Sequence, residues 1–233
     1  MNRQLDGETE TGLQFFGKMT ASISHEIKNV MAIINESAGL LEDYSLMAEK
    51  GMPINPERLK VVSNRVTNQI RRADSIAKNL NSLSHSVDEF QKSVGIRETL
   101  ELAMGLTGRF ADMRSVVLDF QPPPDFPNVI TSPFHLLNLI WRVLDFAMDA
   151  SGPEKKVGLT FEADPTSVKI RFTGIEALTN LPETVFPTEK EASLLGMLSA
   201  TIHHDAKKGE INLVLPKDDR QQATAESHLE RSR

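Results

Sequence analysis

With no cysteine and six histidines in the chain, thiol nucleophiles, zinc-thiolate sites and disulfides are excluded together, and imidazole, carboxylate and amide chemistry remain. His25 has the most suggestive neighbours. It stands in Ser22-Ile23-Ser24-His25-Glu26-Ile27-Lys28-Asn29. On a helix turning about 100° per residue, with Ile23 set at zero, Ile27 and Val30 fall within about 40° of it while His25 falls near 200°. The imidazole is therefore expected to face solvent. Asn29, one turn on, and Ser22, just before, are expected on the same outward side, with Ala32 leaving a small, uncrowded surface where a partner can dock. A neutral imidazole nitrogen can attack a phosphoryl group, a carboxylate such as Glu26 can take its other proton or hold its tautomer, and an amide at Asn29 can orient a water. A lone surface histidine is more often merely solvated, so the elements that carry it must decide.

Those elements read as two long helices. From near Leu13 to about Lys50, Phe16, Ile23 and Val30 repeat every seven residues, with Ile27, Ile34 and Leu41 as a parallel row. Gly51-Met52-Pro53-Ile54-Asn55-Pro56 denies a helix its hydrogen bonds and turns the chain back. A second helix from Pro56 to near Val87 carries Leu59, Val66, Ala73 and Leu80 on one row and Val62, Ile70, Ala77 and Leu83 beside it. The pair forms an antiparallel hairpin with more apolar surface than it can cover, so two copies are expected to pair into a four-helix bundle, a homodimer. Periodicity alone fits a coiled-coil spacer without chemistry equally well.

Beyond residue 95 helices and strands mix: helix 96–113, strand 115–120, a proline-rich break, helix 133–150, strands 157–162 and 167–173, a helix over 189–203 and a strand over 210–215. The fold class is thus α+β, the hairpin followed by a layer in which helices cover one face of a sheet. The expected domains are a flexible lead-in over 1–11, the hairpin over 12–90, the α/β domain over 91–216 and a disordered tail over 217–233. A formal charge of -6 and a pI near 5.6 argue against a general grip on nucleic acid. No apolar run spans a bilayer and no signal peptide opens the chain, so a soluble, cytoplasmic protein with no membrane partner is expected.

The segment from Ser22 to Asn29 closely resembles the H-box of sensor histidine kinases, and the hairpin around it resembles their dimerisation and histidine-phosphotransfer domain. The resemblance implies His25 as phospho-acceptor, Glu26 as general base or tautomer holder, and Asn29 as the residue that helps a water dephosphorylate a bound response regulator. Val30 departs from the pattern, where the family often has a proline that bends the helix.

The likeness continues into the second domain. Residues from Val94-Gly95-Ile96 to Ser151 resemble the opening of the family's ATP-binding domain, including the turn Asn128-Val129-Ile130-Thr131-Ser132-Pro133 into a long helix. The nucleotide motifs do not follow. Where the N-box has two asparagines four residues apart, this chain has Arg142 and Phe146, and Phe146 cannot hold magnesium. In place of a DxGxG loop stand Gly174, Glu176 and Leu178, a bulky leucine and an added carboxylate that oppose close approach of a phosphate. The last glycine-rich motif reduces to Ala192-Ser193-Leu194-Leu195-Gly196-Met197, with only Gly196 surviving, after a segment too short for an ordinary ATP lid. The resemblance implies a degenerate ATPase-type α/β sandwich with no ATP, in which Phe146, Leu178 and Leu194 fill the vacated pocket.

What the resemblance then implies is a histidine phosphotransfer protein relaying phosphoryl groups between response-regulator receiver domains. It needs no cofactor, and magnesium is expected only on the partner receiver. A receiver phosphatase using Asn29, or a non-catalytic dimer that modulates a two-component partner, are the alternatives; an active ATP-dependent kinase is the remotest. Ser22, Lys28, Ala32, Arg65, Arg71 and Arg72 are the candidate partner-binding residues, the arginines for an acidic receiver. His203 and His204, beside Asp205, suggest a metal only weakly, because neighbours on the expected helix point about 100° apart. His85 and His135 have no companion motif.

Overall fold

Helix α1 runs unbroken over Asn2–Glu49 in the computed structural model, which describes residues 2–124, 127–182 and 185–217. Val30, where the family often has a bending proline, sits inside this single helix. The turn after it is built as its residues require. Gly51 adopts φ +78, and the N–H groups of Gly51 and Met52 donate to Ala48 and Met47 carbonyls at 2.9 and 3.1 Å, closing the helix end that a left-handed residue allows. Asn55 then accepts the Glu57 N–H on its Oδ1 at 2.9 Å, capping α2 (Pro56–His85), which carries proline at its first position.

The chain divides into two compact units. One holds residues 17–83; the other joins the residues through Phe16 to those from Ser84 onward. In the first, α1 and α2 form the expected hairpin. Glu36 pairs with Arg65 and Glu26 with Arg72, so the contacts move back along α1 as they move forward along α2, which only an antiparallel pair does.

The second unit follows in the order β1 (Lys92–Gly95), α3 (Ile96–Arg114), β2 (Val117–Phe120), β3 (Asn128–Thr131), α4 (Pro133–Asp149), β4 (Lys156–Ala163), β5 (Ser167–Thr173), a 3-10 turn (Glu176–Thr179), α5 (Glu189–Met197), β6 (Thr201–Asp205) and β7 (Glu210–Pro216). Strands β1 and β3 pair alone; the other five form a sheet ordered β2-β4-β5-β7-β6. Only the β2–β4 pairing is parallel. Val157, Leu159 and Phe161, with Val168, Ile170, Phe172, Ile211, Leu213 and Leu215, alternate into the core, and α4 packs over β4 and β5 with α3 and α5 beside it. The other face is polar, laced by Lys156–Asp119 at 2.9 Å and Arg171–Glu162 at 3.2 Å. One face is buried and the other wet, which is what strict alternation encodes.

Two expectations need correction. The helix expected over 189–203 stops at Met197, because Ser199 takes a left-handed φ of 50 and Ala200 N–H donates back to the Leu195 carbonyl at 2.9 Å; the chain then enters β6, and His203 and His204 lie on a strand. The lead-in expected to fray through residue 11 is helical and belongs to the second unit. There Phe15 is fully buried, its ring 5.5 Å from those of Phe134 and Trp141, and Gly12 lets Phe134 close in, since a Cβ would meet that ring at 3.2 Å. Tertiary contact thus anchors the helix at Gly12 and Phe15. The tail from residue 218 lies outside the described residues.

Phe15→Ala is expected to weaken the unfolding transition of the full chain by about 3–5 kcal/mol. Urea titration followed by fluorescence of Trp141, the chain's one tryptophan, measures it directly.

Candidate functional site

A helix buries one stripe, and the stripe of α1 is offset from where its apolar rows suggest. Met19, Ser22, Ile23, Val30 and Ser37 are buried; on the wheel with Ile23 at zero they centre at about -40°. Ile27 and Met31 fall on the far side of Ile23 and are exposed. His25, well away from the stripe, is exposed, as are Lys28, Asn29 and Ala32. Ser22 is not on the outward side. It is 2% exposed, and its Oγ has no hydrogen-bond partner among the described residues, so it leaves the docking surface that the sequence assigned to it.

Glu26 lies on the stripe's own side of the helix, at about -60° on that wheel, its side chain 15% exposed, with Oε2 accepting from Arg72 Nη2 at 3.4 Å. Its carboxylate therefore faces α2 and Arg72. Arg65 is held by Glu36 on the same hairpin, and Arg71 is exposed on α2. The hairpin thus brings together an accessible imidazole, an amide one turn on, a carboxylate and an arginine that faces that carboxylate. Such a set can accept and hold a phosphoryl group.

In the second unit, the positions that depart from the nucleotide motifs have internal partners. Arg142 Nη1 donates to Glu191 on α5 at 2.8 Å, with side chains 13% and 5% exposed, and Arg142 Nε donates to Asn138 Oδ1 at 3.3 Å. Thr188 donates to Glu191 through both its N–H, at 2.9 Å, and its Oγ1. Burial opposes charge on Glu191, yet the two Thr188 hydrogen bonds and Arg142 outweigh it and hold the carboxyl below its ordinary value of 4.5. Phe146, one turn beyond Arg142, stacks on Phe186 with centroids 4.6 Å apart, and Phe186 in turn lies against His204. Leu178 and Leu194 are buried. The filling is incomplete: an open cleft of about 590 Å³ remains, lined by Phe146, Leu178, Phe186, His203, His204 and Lys207.

The glycine at the start of the altered loop has a structural duty. Gly174 adopts φ +84, and a Cβ there would meet the Lys156 carbonyl at 2.1 Å, so only glycine passes. Glu191 and Phe186 are the two residues that sequence reasoning missed. Thr188-x-x-Glu191 has capping-box spacing, a signal that marks the start of α5 and so the placement of Glu191; nothing comparable marks Phe186.

The remaining histidines among the described residues are accounted for locally. His85 Nδ1 lies 2.7 Å from Asp88 Oδ2, and His135 Nδ1 lies 2.7 Å from Ser132 Oγ at the start of α4. His203 and His204, now on a strand, project to opposite faces of β6, a different obstacle to sharing one ion from the helical one expected. Among the described residues, no three histidine, aspartate or glutamate side chains cluster as a metal site, and no helix is long and apolar enough to cross a membrane.

No family model matches the sequence, and no curated protein matches it. Among solved structures, the chain is similar to the histidine kinase ThkA in complex with the response regulator protein TrrA, at 19% identity over 88% of this chain and 63% of that one, TM-score 0.46. It is similar to a bacterial phosphotransferase at 13% identity over 87% of this chain and 95% of that one, TM-score 0.45. The histidine kinase AdeS of Acinetobacter baumannii is alike at 12% identity over 78% and 95% of the two chains, TM-score 0.46. These likenesses concern the arrangement of elements alone. In this chain the arrangement is a long helical part followed by a sheet with helices on one face.

Glu191→Ala is expected to cost about 3 kcal/mol, because it strands the Arg142 guanidinium in a nearly dry site. In the unmodified chain the contribution of Glu191 is complete above its ordinary value of 4.5 and is lost as pH falls through the depressed folded value. Thermal melts from pH 6 downward should therefore show an acid loss of stability that is smaller in Glu191→Gln.

Proposed function

We propose that the chain is a histidine phosphotransfer protein that passes phosphoryl groups between receiver domains of response regulators through His25, without ATP. The observation that supports it most is the exposed His25 imidazole, set in an H-box-like segment on a helical hairpin. In the forward step the imidazole lone pair forms an N–P bond as the O–P bond of a receiver's aspartyl phosphate breaks, and that carboxylate leaves with the electron pair. In the return step a second receiver's carboxylate attacks, and the N–P electrons go back to the ring. Acyl phosphate and phosphoramidate are close in energy, so direction follows from which partner is present.

The nucleotide-free character rests on Arg142 and Phe146, at the resemblance's asparagine positions, being turned to Glu191 and Phe186. The homodimer rests on apolar side chains that one hairpin leaves open: Ile27, Met31 and Leu41 on α1, with Leu59, Val61 and Ile70 on α2. Magnesium belongs to the receiver, nucleic acid is opposed by the net charge of -6, and a cytoplasmic setting suits both partners. A second reading, a receiver phosphatase, is supported by Asn29 standing exposed one turn from His25, where its amide can orient water.

Mixing the full chain with receivers carrying labelled phosphate separates the readings. Relay requires label on the chain and then on a second receiver, with His25→Ala abolishing passage and Asn29→Ala preserving it. Release of inorganic phosphate that depends on Asn29 instead of His25 identifies the phosphatase, and indifference to both substitutions leaves only a binding role. Mg-ATP at millimolar concentration is expected to leave the melting temperature unchanged, since a ligand of the native state must raise it.

A further inference from the structure

Two arginine–glutamate pairs tie α1 to α2, and they are built differently. Arg65 grips Glu36 with both Nη atoms, at 3.4 and 2.8 Å. Arg72 reaches Glu26 through Nη2 alone, at 3.4 Å, and is 48% exposed. Its Nε and Nη1 have no protein partner among the described residues. Glu26 directly follows His25, with Cα atoms about 3.8 Å apart, so this loosely held guanidinium is bound to the residue beside the imidazole, whose side chain points about 100° away around the helix.

We infer that Arg72 is a phosphoryl-binding residue: it leaves Glu26 and closes on the phosphoryl group as that group reaches His25. The inference rests on His25 being the acceptor. A single long contact at the surface contributes little, whereas a phosphoryl group carries about -1.5 to -2 charges and three acceptor oxygens. A guanidinium meets it through paired, charge-assisted hydrogen bonds roughly twice as strong as neutral ones. The exchange is therefore favourable. It also frees Glu26: as the N–P bond forms and the donor's O–P bond breaks, the proton on the other ring nitrogen can pass to the released carboxylate.

Phosphoramidate tests this without any receiver, since it phosphorylates imidazole with loss of ammonia. Phosphohistidine on the full chain is followed by 31P NMR as a function of donor concentration, with His25→Ala as the blank. Arg72→Ala should label about tenfold more slowly and need more donor for half-maximal rate, the loss of a charged hydrogen bond. Arg72→Lys should recover part of the rate, Lys78→Ala should match the parent chain, and melting temperatures should agree. Equal labelling of Arg72→Ala and parent, equal slowing by Lys78→Ala, or no labelling of His25 in the parent would each overturn the inference. Arg72-dependent labelling without transfer from a phosphorylated receiver removes the relay and keeps Arg72; the reverse pattern does the opposite.

Discussion

A helix in a two-helix hairpin can hide only one stripe of its surface, and the stripe that α1 hides decides what each chemical group in the hairpin can do. With Met19, Ser22, Ile23, Val30 and Ser37 turned inward, His25, Lys28, Asn29 and Ala32 have to face out, and Glu26, on the stripe's side, has to turn its carboxylate toward α2. Rotating the stripe by half a turn would bury the imidazole and end its reactivity without altering a residue. The reactive surface is thus a by-product of packing. The small residues Ser22 and Ser37 in the stripe let the helices approach without demanding large apolar partners, while larger side chains such as Ile27 and Met31 remain outside it.

The second unit keeps its fold for a different reason. Its sheet alternates cleanly, and α4, buried along most of its length through Leu136, Leu137, Ile140, Val143, Leu144 and Ala147, needs no ligand to hold it in place. What varies is the polar edge of that helix. Arg142 and Phe146, one turn apart, meet Glu191 and Phe186, so an ion pair and an aromatic stack join α4 to the segment carrying α5. The apolar contacts of this core run between the unit's own side chains.

Much of this was legible in the residues, and the exceptions have causes. Both long helices, the turn at Gly51 to Pro56, α3, α4 and strands β4, β5 and β7 follow from periodicity and breakers, which act locally. The outward placement of His25 was also legible, since it stays far from either estimate of the buried stripe. Ser22 was misplaced because a heptad reading weights large apolar residues and so centred the stripe near Ile23 instead of turning it toward Met19. The fate of residues 2–11 was hidden because Phe15 finds its partners, Phe134 and Trp141, more than a hundred residues away. Strand β6 was missed because a serine in left-handed conformation ended α5 where a glycine would have announced the stop.

Three arginine–glutamate pairs show how one chemistry takes different roles by environment. Arg142–Glu191 is nearly dry and reinforced by Thr188, so its value depends on both partners being present, and losing one exposes the desolvation cost of the other. Arg65–Glu36 is two-pronged but wet, a modest tie between helices. Arg72–Glu26 is wet on the arginine side and makes a single contact, so it contributes least to holding the fold and leaves the guanidinium easiest to redirect. The order of tightness runs opposite to the order of availability. The pair nearest His25 is the one whose arginine can be taken by an arriving anion at the smallest cost to the structure.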